Sequence, residues 1–542
     1  MLSNKEIAGL FHELASLMEL YEENPFKIRS YENAYLALRK LDLPLLEMSD
    51  DEWKQLKGVG AAIAEKLKEI KVTGSFKSLD EFRDKTPEGV RTMLRIKGLG
   101  PKKVRSIWKE LNIESPGELA YACGENRLIE LKGFGPKLQE EIRNSILFFD
   151  HQKSLFLYYK LFEEAKELIE ALMHKNPGCR FVKTGSLRRA NPVLEKIEIL
   201  TDAREIIYPV EYVPSDLENG IWKDSFPVRI YFCDPADWNI QLLVTTGGNE
   251  HFLTTITGRL IGKQGNTEQE LFEQAGMGYR PPECRDLFFS PEFDEKNLIE
   301  QSAIYGVIHT HTTYSDGMYS IEAMAEECIR LGYQYLVISD HSRSAFYANG
   351  LSIERIEQQW REIDQWNKSH SGFHIFKSIE SDILNDGSLD YPDEILQGFD
   401  LVIASIHSNL KMEEAKAMKR LIQAIENPYT RILGHPTGRI LLSRPGYPVN
   451  HKVLLDACAA NGVVVELNAN PLRLDIDWQW IPYAMERGVK VSINPDAHNL
   501  KGIQDIRFGL LSARKGGLLK NLCLNSMNIT EFKSWILEKN NF

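Results

Sequence analysis

The sequence predicts a multidomain α/β chain with an all-α repeat at the N-terminus, a mixed α+β middle and a C-terminal (β/α)7 barrel. Three observations carry that prediction. Glycine-centred turns recur three times in the first 150 residues, each ahead of an amphipathic helix. In the middle of the chain, Phe181-Val182-Lys183 and Leu194–Leu200 read as strands, the first ahead of a glycine-serine turn. After residue 303, seven apolar, β-rich runs alternate with helical segments, and each run ends in a side chain of metal-binding type. At 542 residues the chain exceeds what one hydrophobic core supports.

Composition narrows the class. The chain is 43% hydrophobic and 26% charged, as an ordinary globular protein is, and no apolar run reaches membrane-spanning length. Its net charge of −12 argues against general nucleic-acid binding. Residues 1–150 are close to neutral, however, and their lysines cluster around the glycine turns, which leaves a local DNA-binding face open. The seven cysteines form no CxxC pair and read as reduced, buried thiols. Ser3 and Glu6 make a capping box ahead of an apolar stripe from Ile7 to Met18, so the chain opens on a folded helix and a cytoplasmic protein is expected.

The repeats, in order, are Leu56-Lys57-Gly58-Val59-Gly60, Ile96-Lys97-Gly98-Leu99-Gly100 and Leu131-Lys132-Gly133-Phe134-Gly135. Their glycines (Gly58, Gly60, Gly98, Gly100, Gly133 and Gly135) permit tight turns and bare the N–H groups that open the next helix, a place suited to a phosphate. The neighbouring lysines add charge that reads backbone, not sequence. One such turn is no more than a connection between helices; three predict helix-hairpin-helix DNA binding, with a first domain over 1–90 and a second over 91–150.

With Glu23-Asn24-Pro25-Phe26-Lys27-Ile28-Arg29 and the tyrosine-rich helix after it, this region resembles the N-terminus of family X DNA polymerases. In that family a lysine after the first hairpin acts as a lyase nucleophile on abasic sugars. The resemblance puts Lys66 at that place; a solvated surface lysine is the alternative. Residues 151–295 continue the likeness as a nucleotidyltransferase palm. Phe181-Val182-Lys183-Thr184-Gly185-Ser186-Leu187-Arg188-Arg189 resembles the motif that holds a triphosphate, and Thr246-Gly247-Gly248-Asn249 the turn near the incoming nucleotide. Nucleotide addition needs carboxylates around two cations. Aligned from Arg188-Arg189, the family's aspartate positions hold Lys196 and Glu198, and the third holds Pro227. A lysine would repel the cation that an aspartate attracts, so the palm is expected to be a retained scaffold without polymerase activity.

The barrel, 303–542, is the most specific part. Its strand ends supply His309-Thr310-His311, Ser315-Asp316-Gly317, Ser339-Asp340-His341-Ser342, Ile379-Glu380, Ser405-Ile406-His407, Gly434-His435-Pro436 and Asp496-Ala497-His498, with Asn468 ending the sixth run. A lone histidine is usually a packed core residue; six with three carboxylates at the active face of a barrel predict a metal centre. These motifs resemble the PHP phosphoesterase family, and the chain as a whole resembles bacterial family X polymerases with a PHP exonuclease.

That resemblance implies three ions, Mn2+ or Zn2+, on His309, His311, Asp316, His341, Glu380, His407, His435, Asp496 and His498, with Glu380 bridging two. His309, His311 and Glu380 are expected to be central to catalysis. Arg439, Arg444 and Arg473, close after strand ends, fit either a grip on phosphate oxygens or salt bridges. The function so implied is a DNA-processing phosphodiesterase, a 3′→5′ exonuclease with abasic sites as a further target, acting on gapped DNA or free 3′ ends. Two rivals stand beside it: a small-molecule phosphomonoesterase, and a non-enzymatic repair scaffold. The hairpins discriminate against the first rival, and the complete ligand set against the second.

Overall fold

The computed structural model describes residues 2–539 apart from 40, 42–43, 57–58, 97, 150–154, 288–292 and 294. Gly58, with Lys57 and Lys97 of the repeats, therefore lies outside the described residues. The chain divides into two compact units, Met1–Asp150 and His151–Phe542.

The first unit is helical. Its opening helix, Asn4–Leu20, starts with the expected capping box: Ser3 Oγ accepts from the Glu6 N–H, and the Glu6 carboxylate accepts from the Ser3 N–H at 2.7 Å. The buried stripe of Ile7, Phe11, Leu14 and Leu17 holds this helix to the rest of the unit, with the Phe11 ring stacked on Phe76 at 5.2 Å. Helices Ala61–Thr73, Pro101–Leu111 and Pro136–Phe149 each follow one glycine turn.

The second unit begins with the palm. Its strands are β1 (Phe156–Leu157), β2 (Phe181–Lys183), β3 (Val193–Leu194), β4 (Ile197–Thr201), β5 (Tyr212–Pro214), β6 (Asn219–Trp222) and β7 (Phe226–Phe232). Five of them form a sheet in the order β2-β4-β7-β6-β5, in which only β4 and β7 run parallel. The barrel strands are β8 (Gly306–Thr310), β9 (Tyr335–Ile338), β10 (His374–Asp382), β11 (Leu401–Ser405), β12 (Thr430–Leu433), β13 (Val464–Asn468) and β14 (Val491–Asn494). They pair in sequence order and all parallel, as helices between successive strands require.

The barrel closes at two points. At the active face Thr310 and Ala497 form a parallel bridge. At the opposite end Asn525, fully buried, fills the seam between β8 and β14: its amide donates to the carbonyls of Gly306 (3.2 Å) and Ile493 (2.9 Å), and its oxygen accepts from the Ile493 N–H at 2.7 Å. A side-chain amide thus makes the ladder bonds that two strand backbones do not make directly. Helix Ile529–Lys539 covers that end, with Phe532 stacked on Tyr335 at 4.5 Å.

The palm and the barrel share one unit. The apolar cluster under the palm sheet includes Leu474 and Phe508 of the barrel region. Beside it Lys515, only 1% exposed, donates to Asp286 at 2.5 Å, to the Asn191 side chain at 2.7 Å and to the Arg189 carbonyl at 3.2 Å. All seven cysteines are free. Among the described residues, no helix is long and apolar enough to cross a membrane.

Candidate metal centre

All nine expected ligands meet at the C-terminal ends of the barrel strands. Glu380 is central. Its Oε1 lies 2.9 Å from His435 Nε2, 3.1 Å from His407 Nε2 and 3.3 Å from His309 Nε2. Its Oε2 lies 3.0 Å from His341 Nδ1 and 3.8 Å from His311 Nε2. Asp496 approaches His311 Nε2 at 3.0 Å and His309 Nε2 at 3.5 Å. Asp316 approaches His498 Nε2 at 3.4 Å and His341 Nε2 at 3.6 Å.

Two details differ from the sequence expectation. Glu380 does not end its strand; β10 continues to Asp382, so the residue next on the same face also points at the site. The His309–His311 pair does not lie on a regular extended strand. His309 has φ +64°, and the register of β8 shifts between Val307 and Thr310. The bulge re-aims both rings at Glu380 and Asp496.

Further residues hold the ligands in place, and two of them, Glu466 and Asp382, were missed from sequence. Glu466 on β13 is fully buried and accepts from His309 Nδ1 at 2.6 Å, from the His435 N–H at 3.1 Å and from the side-chain amides of Asn468 (3.1 Å) and Asn494 (2.8 Å). Asp382 accepts from His407 Nδ1 and from the Ser344 hydroxyl at 2.8 Å. A carboxylate on Nδ1 fixes the tautomer and leaves the Nε2 lone pair facing the centre. His498 is set likewise by Nδ1 on the Asp496 carbonyl at 2.9 Å. Asn468, expected as a strand-end ligand type, instead donates to Glu466 and, at 3.0 Å, to Asp496. Asp340 accepts from the backbone N–H groups of Thr312 (2.8 Å) and Ser315 (3.1 Å), shaping the loop that carries Asp316. The available signal was a polar residue two positions from a ligand, or from a ligand's neighbour, in an apolar strand.

The electrostatics follow from burial. Burial would lower His309, but Glu466, Glu380 and Asp496 outweigh it and raise the imidazole well above its usual range. Against the same burial, Glu380 and Asp382 raise His407 to about 10. Burial and the neighbouring His498 and His341 push His311 down to about 3. Burial opposes ionisation of Glu380, yet His407, His309 and His341 hold it well below the carboxylate range. In the metal-free protein His309 and His407 therefore carry protons at neutral pH. A cation must displace them, so affinity rises with pH.

Several of these atoms face one another without forming hydrogen bonds. Nε2 of His309, Nδ1 of His311, both ring nitrogens of His341 and Oε2 of Glu380 are buried and make no hydrogen bond. Leaving such atoms unmade is costly unless a ligand takes them. Close subsets, His311-Asp316-His341-His498, His309-His311-Asp496 and His341-Glu380-His407, have the spacing of metal-holding groups. When bound, such ions activate water and offset charge on a phosphoryl group.

The arginines divide. Arg439 pairs with Asp477 at 2.5 Å and donates to the carbonyls of Arg473 (3.0 Å) and Leu474, while Arg444 donates twice to the Gly438 carbonyl, at 3.0 and 2.8 Å. Both thus brace their own loops, Arg439 through a salt bridge and Arg444 through a backbone carbonyl. Arg473 is buried beside His435, whose basicity it lowers together with burial.

Comparison with known proteins matches three families: a helix-hairpin-helix domain over residues 2–76, a SAM-like helix-hairpin-helix tandem over 90–146 and a PHP domain over 308–470. The DNA polymerase/3′-5′ exonuclease PolX of Bacillus subtilis strain 168 is 34% identical over 567 residues, covering 98% of this chain and 99% of its own. This chain belongs to the bacterial family X polymerases with a C-terminal PHP domain. The barrel alone is similar to probable phosphatases, at 29% identity in Thermoanaerobacter sp. strain X514 (43% of this chain, 94% of that protein) and 31% in Caldanaerobacter subterraneus (43% and 90%).

In the PolX-like palm the paired strands β4 and β7 set the register of the positions singled out from sequence. Ile197 lies opposite Val228, and the register thus sets Lys196 beside Pro227 and Glu198 beside Arg229. Glu198 folds under the glycine-serine turn, where its Oε2 accepts from the Ser186 N–H (2.9 Å) and hydroxyl (3.0 Å) and its Oε1 from Tyr231 (3.1 Å). Gly185 allows this approach: at φ +59°, a Cβ there would lie 1.9 Å from that carboxylate. Arg188 is held by Glu268 at 3.0 and 2.5 Å, and Arg189 by Asp286 at 3.1 Å. The groups expected to hold a triphosphate hold the protein's own carboxylates.

In the PolX-like hairpins, Gly98 and Gly133 take left-handed φ of +91° and +88°. A Cβ added at Gly60, Gly98, Gly100, Gly133 or Gly135 would meet no described atom within 4 Å. The turns are therefore bare on the outside. Lys66, half-buried, sits 5.8 Å from the Tyr31 ring centroid and 5.7 Å from that of Phe76.

If Glu466 sets the His309 tautomer, Glu466→Gln will lower metal affinity by about ten- to a hundredfold while the far-UV circular dichroism stays native. Wild-type affinity in a competition titration with a chelator would remove that role.

Proposed function

We propose that the barrel hydrolyses DNA phosphodiesters from 3′ ends in the 3′→5′ direction, using three ions, Mn2+ or Zn2+, on the nine ligands, with abasic sites as a further substrate. A site that mixes imidazole with carboxylate suits these metals better than Mg2+. The observation that carries the reading is the union, on one chain, of a complete buried donor cluster with hairpin turns whose outer faces nothing in the described chain fills. The hairpins bind gapped DNA or free ends through phosphates, and the barrel cuts. His309, His311 and Glu380 position the ions at the reacting phosphate, and Arg473, buried beside His435, is the arginine best placed to meet its charge. Lys66 is a candidate for lyase chemistry. The setting is DNA repair in the cytoplasm.

The palm is proposed to be a scaffold without polymerase activity. Lys196 and Pro227 supply no carboxylate, and Glu198 is committed to Ser186 and Tyr231. The phosphatase relatives favour a second reading, a small-molecule phosphomonoesterase with a structural front half. Product analysis on labelled primer, gapped and abasic DNA beside a generic phosphomonoester separates the two.

His309→Ala and Glu380→Ala are each expected to abolish 3′-end hydrolysis and to lose metal in parallel, with DNA binding largely intact. A mutant without metal that digests DNA at the wild-type rate would place the chemistry elsewhere. The purified protein should add no nucleotide to a gapped primer with Mg2+ or Mn2+; template-dependent extension would overturn the scaffold reading. The triple variant Gly60→Ala, Gly100→Ala, Gly135→Ala should fold normally, since the added methyls meet nothing, yet bind DNA at least about tenfold more weakly as phosphates lose their approach. Unchanged affinity at low salt would refute the role of the turns.

A further inference from the structure

The segment Ser342-Arg343-Ser344 follows the ligand His341 directly and lies along the end of β10. The Ser342 N–H donates to the Glu380 carbonyl at 3.1 Å, and the Ser342 hydroxyl accepts from the Asp382 N–H at 2.9 Å. Two residues on, the Ser344 hydroxyl donates to one oxygen of the Asp382 carboxylate at 2.8 Å, while the other oxygen holds His407 Nδ1. The segment thus grips Asp382 by backbone and by side chain. A carboxylate turns easily about its last bond. A hydroxyl that fixes one of its oxygens therefore fixes the direction of the other, and with it the plane of the imidazole.

Ser344 is seated in turn by a second buried carboxylate. Asp390, 4% exposed, returns from the turn after β10, where Ile383 and Leu389 pair. It accepts from the Ser344 N–H at 2.7 Å and from Arg343 Nε at 3.4 Å, and its own N–H donates to the Ser381 hydroxyl at 3.1 Å. Burying a carboxylate is costly, and the half-exposed Arg343 offsets little of that cost. The short bond to the Ser344 N–H is its principal contact. We propose that Asp390 is a positioning residue for one ion, the one between His341, Glu380 and His407: it seats Ser344, and Ser344, through Asp382, aims the ring of His407. The three groups of that subset all meet this segment. His341 precedes it in the chain, Glu380 accepts from it, and His407 is reached through Asp382. The subset of His309, His311 and Asp496 is set instead by Glu466 and the bulge of β8. The inference rests on the reading of the cluster as a centre for Mn2+ or Zn2+ and adds a division to it: one ion depends on Asp390 and the others do not.

The test measures Mn2+ bound per chain by elemental analysis, and affinity by competition with a chelator, in full-length wild type, Ser344→Ala, Asp390→Ala and Asp390→Asn. At a free Mn2+ concentration that just fills the wild type, Ser344→Ala and Asp390→Ala hold one ion fewer per chain. The lost ion rebinds about ten- to a hundredfold more weakly, and the remaining ions keep wild-type affinity. The double variant Ser344→Ala, Asp390→Ala loses no more than either single variant, because both act through the same hydroxyl. Asp390→Asn keeps an oxygen for the Ser344 N–H and restores the full complement. Circular dichroism of the metal-free proteins separates loss of position from loss of fold, and where Asp390→Ala does not fold, Ser344→Ala against Asp390→Asn carries the test. A full complement at wild-type affinity in Ser344→Ala, or an equal weakening of every ion, overturns the positioning role while leaving the metal reading in place. A wild type that binds neither Mn2+ nor Zn2+ overturns both.

Discussion

The barrel is organised around one carboxylate that must be shared. Glu380 is 1% exposed and lies within 4 Å of five imidazoles drawn from four other strands. Ionised and buried, it is tolerable only with positive charge around it, whether protons on histidine or cations between the rings. The strands that carry these imidazoles stop, bulge or extend so that their rings reach this group. His309 and His435 accordingly have positive φ: the backbone is bent where a side chain would otherwise miss.

Around this carboxylate the centre is layered. Glu466 touches two ligands and two asparagines, and so couples β8, β12, β13 and β14. Asp382 couples β10 to β11 through His407. A change at either residue reaches the ions through an imidazole that turns, not through a bond that is lost.

Much of this was legible in the sequence, for a physical reason. A ligand at the end of an apolar strand breaks a hydrophobic run, so His309, Glu380, His407 and His435 stand out, and the seven runs predict the barrel. Lys196 and Pro227 stand out because the resemblance leads one to expect carboxylates at those places. What sequence did not show are groups whose role depends on tertiary approach. Glu466 looks like one polar residue in a strand, and nothing local says that its partner lies 157 positions earlier. The bulge at His309 and the fold of Glu198 under Ser186 likewise arise from packing. Arg439 and Arg444 were ambiguous because a guanidinium near a strand end serves a loop carbonyl as readily as a phosphate.

The junction at Lys515 bears on the history of the chain. Its ammonium is buried, and the groups it donates to, Asp286, Asn191 and the Arg189 carbonyl, belong to the palm, while the Trp478 ring of the barrel lies 4.7 Å away. Deleting the palm would strand that cation against an apolar surface and expose the seats of Leu474 and Phe508. A barrel that has grown this contact cannot readily shed its neighbour.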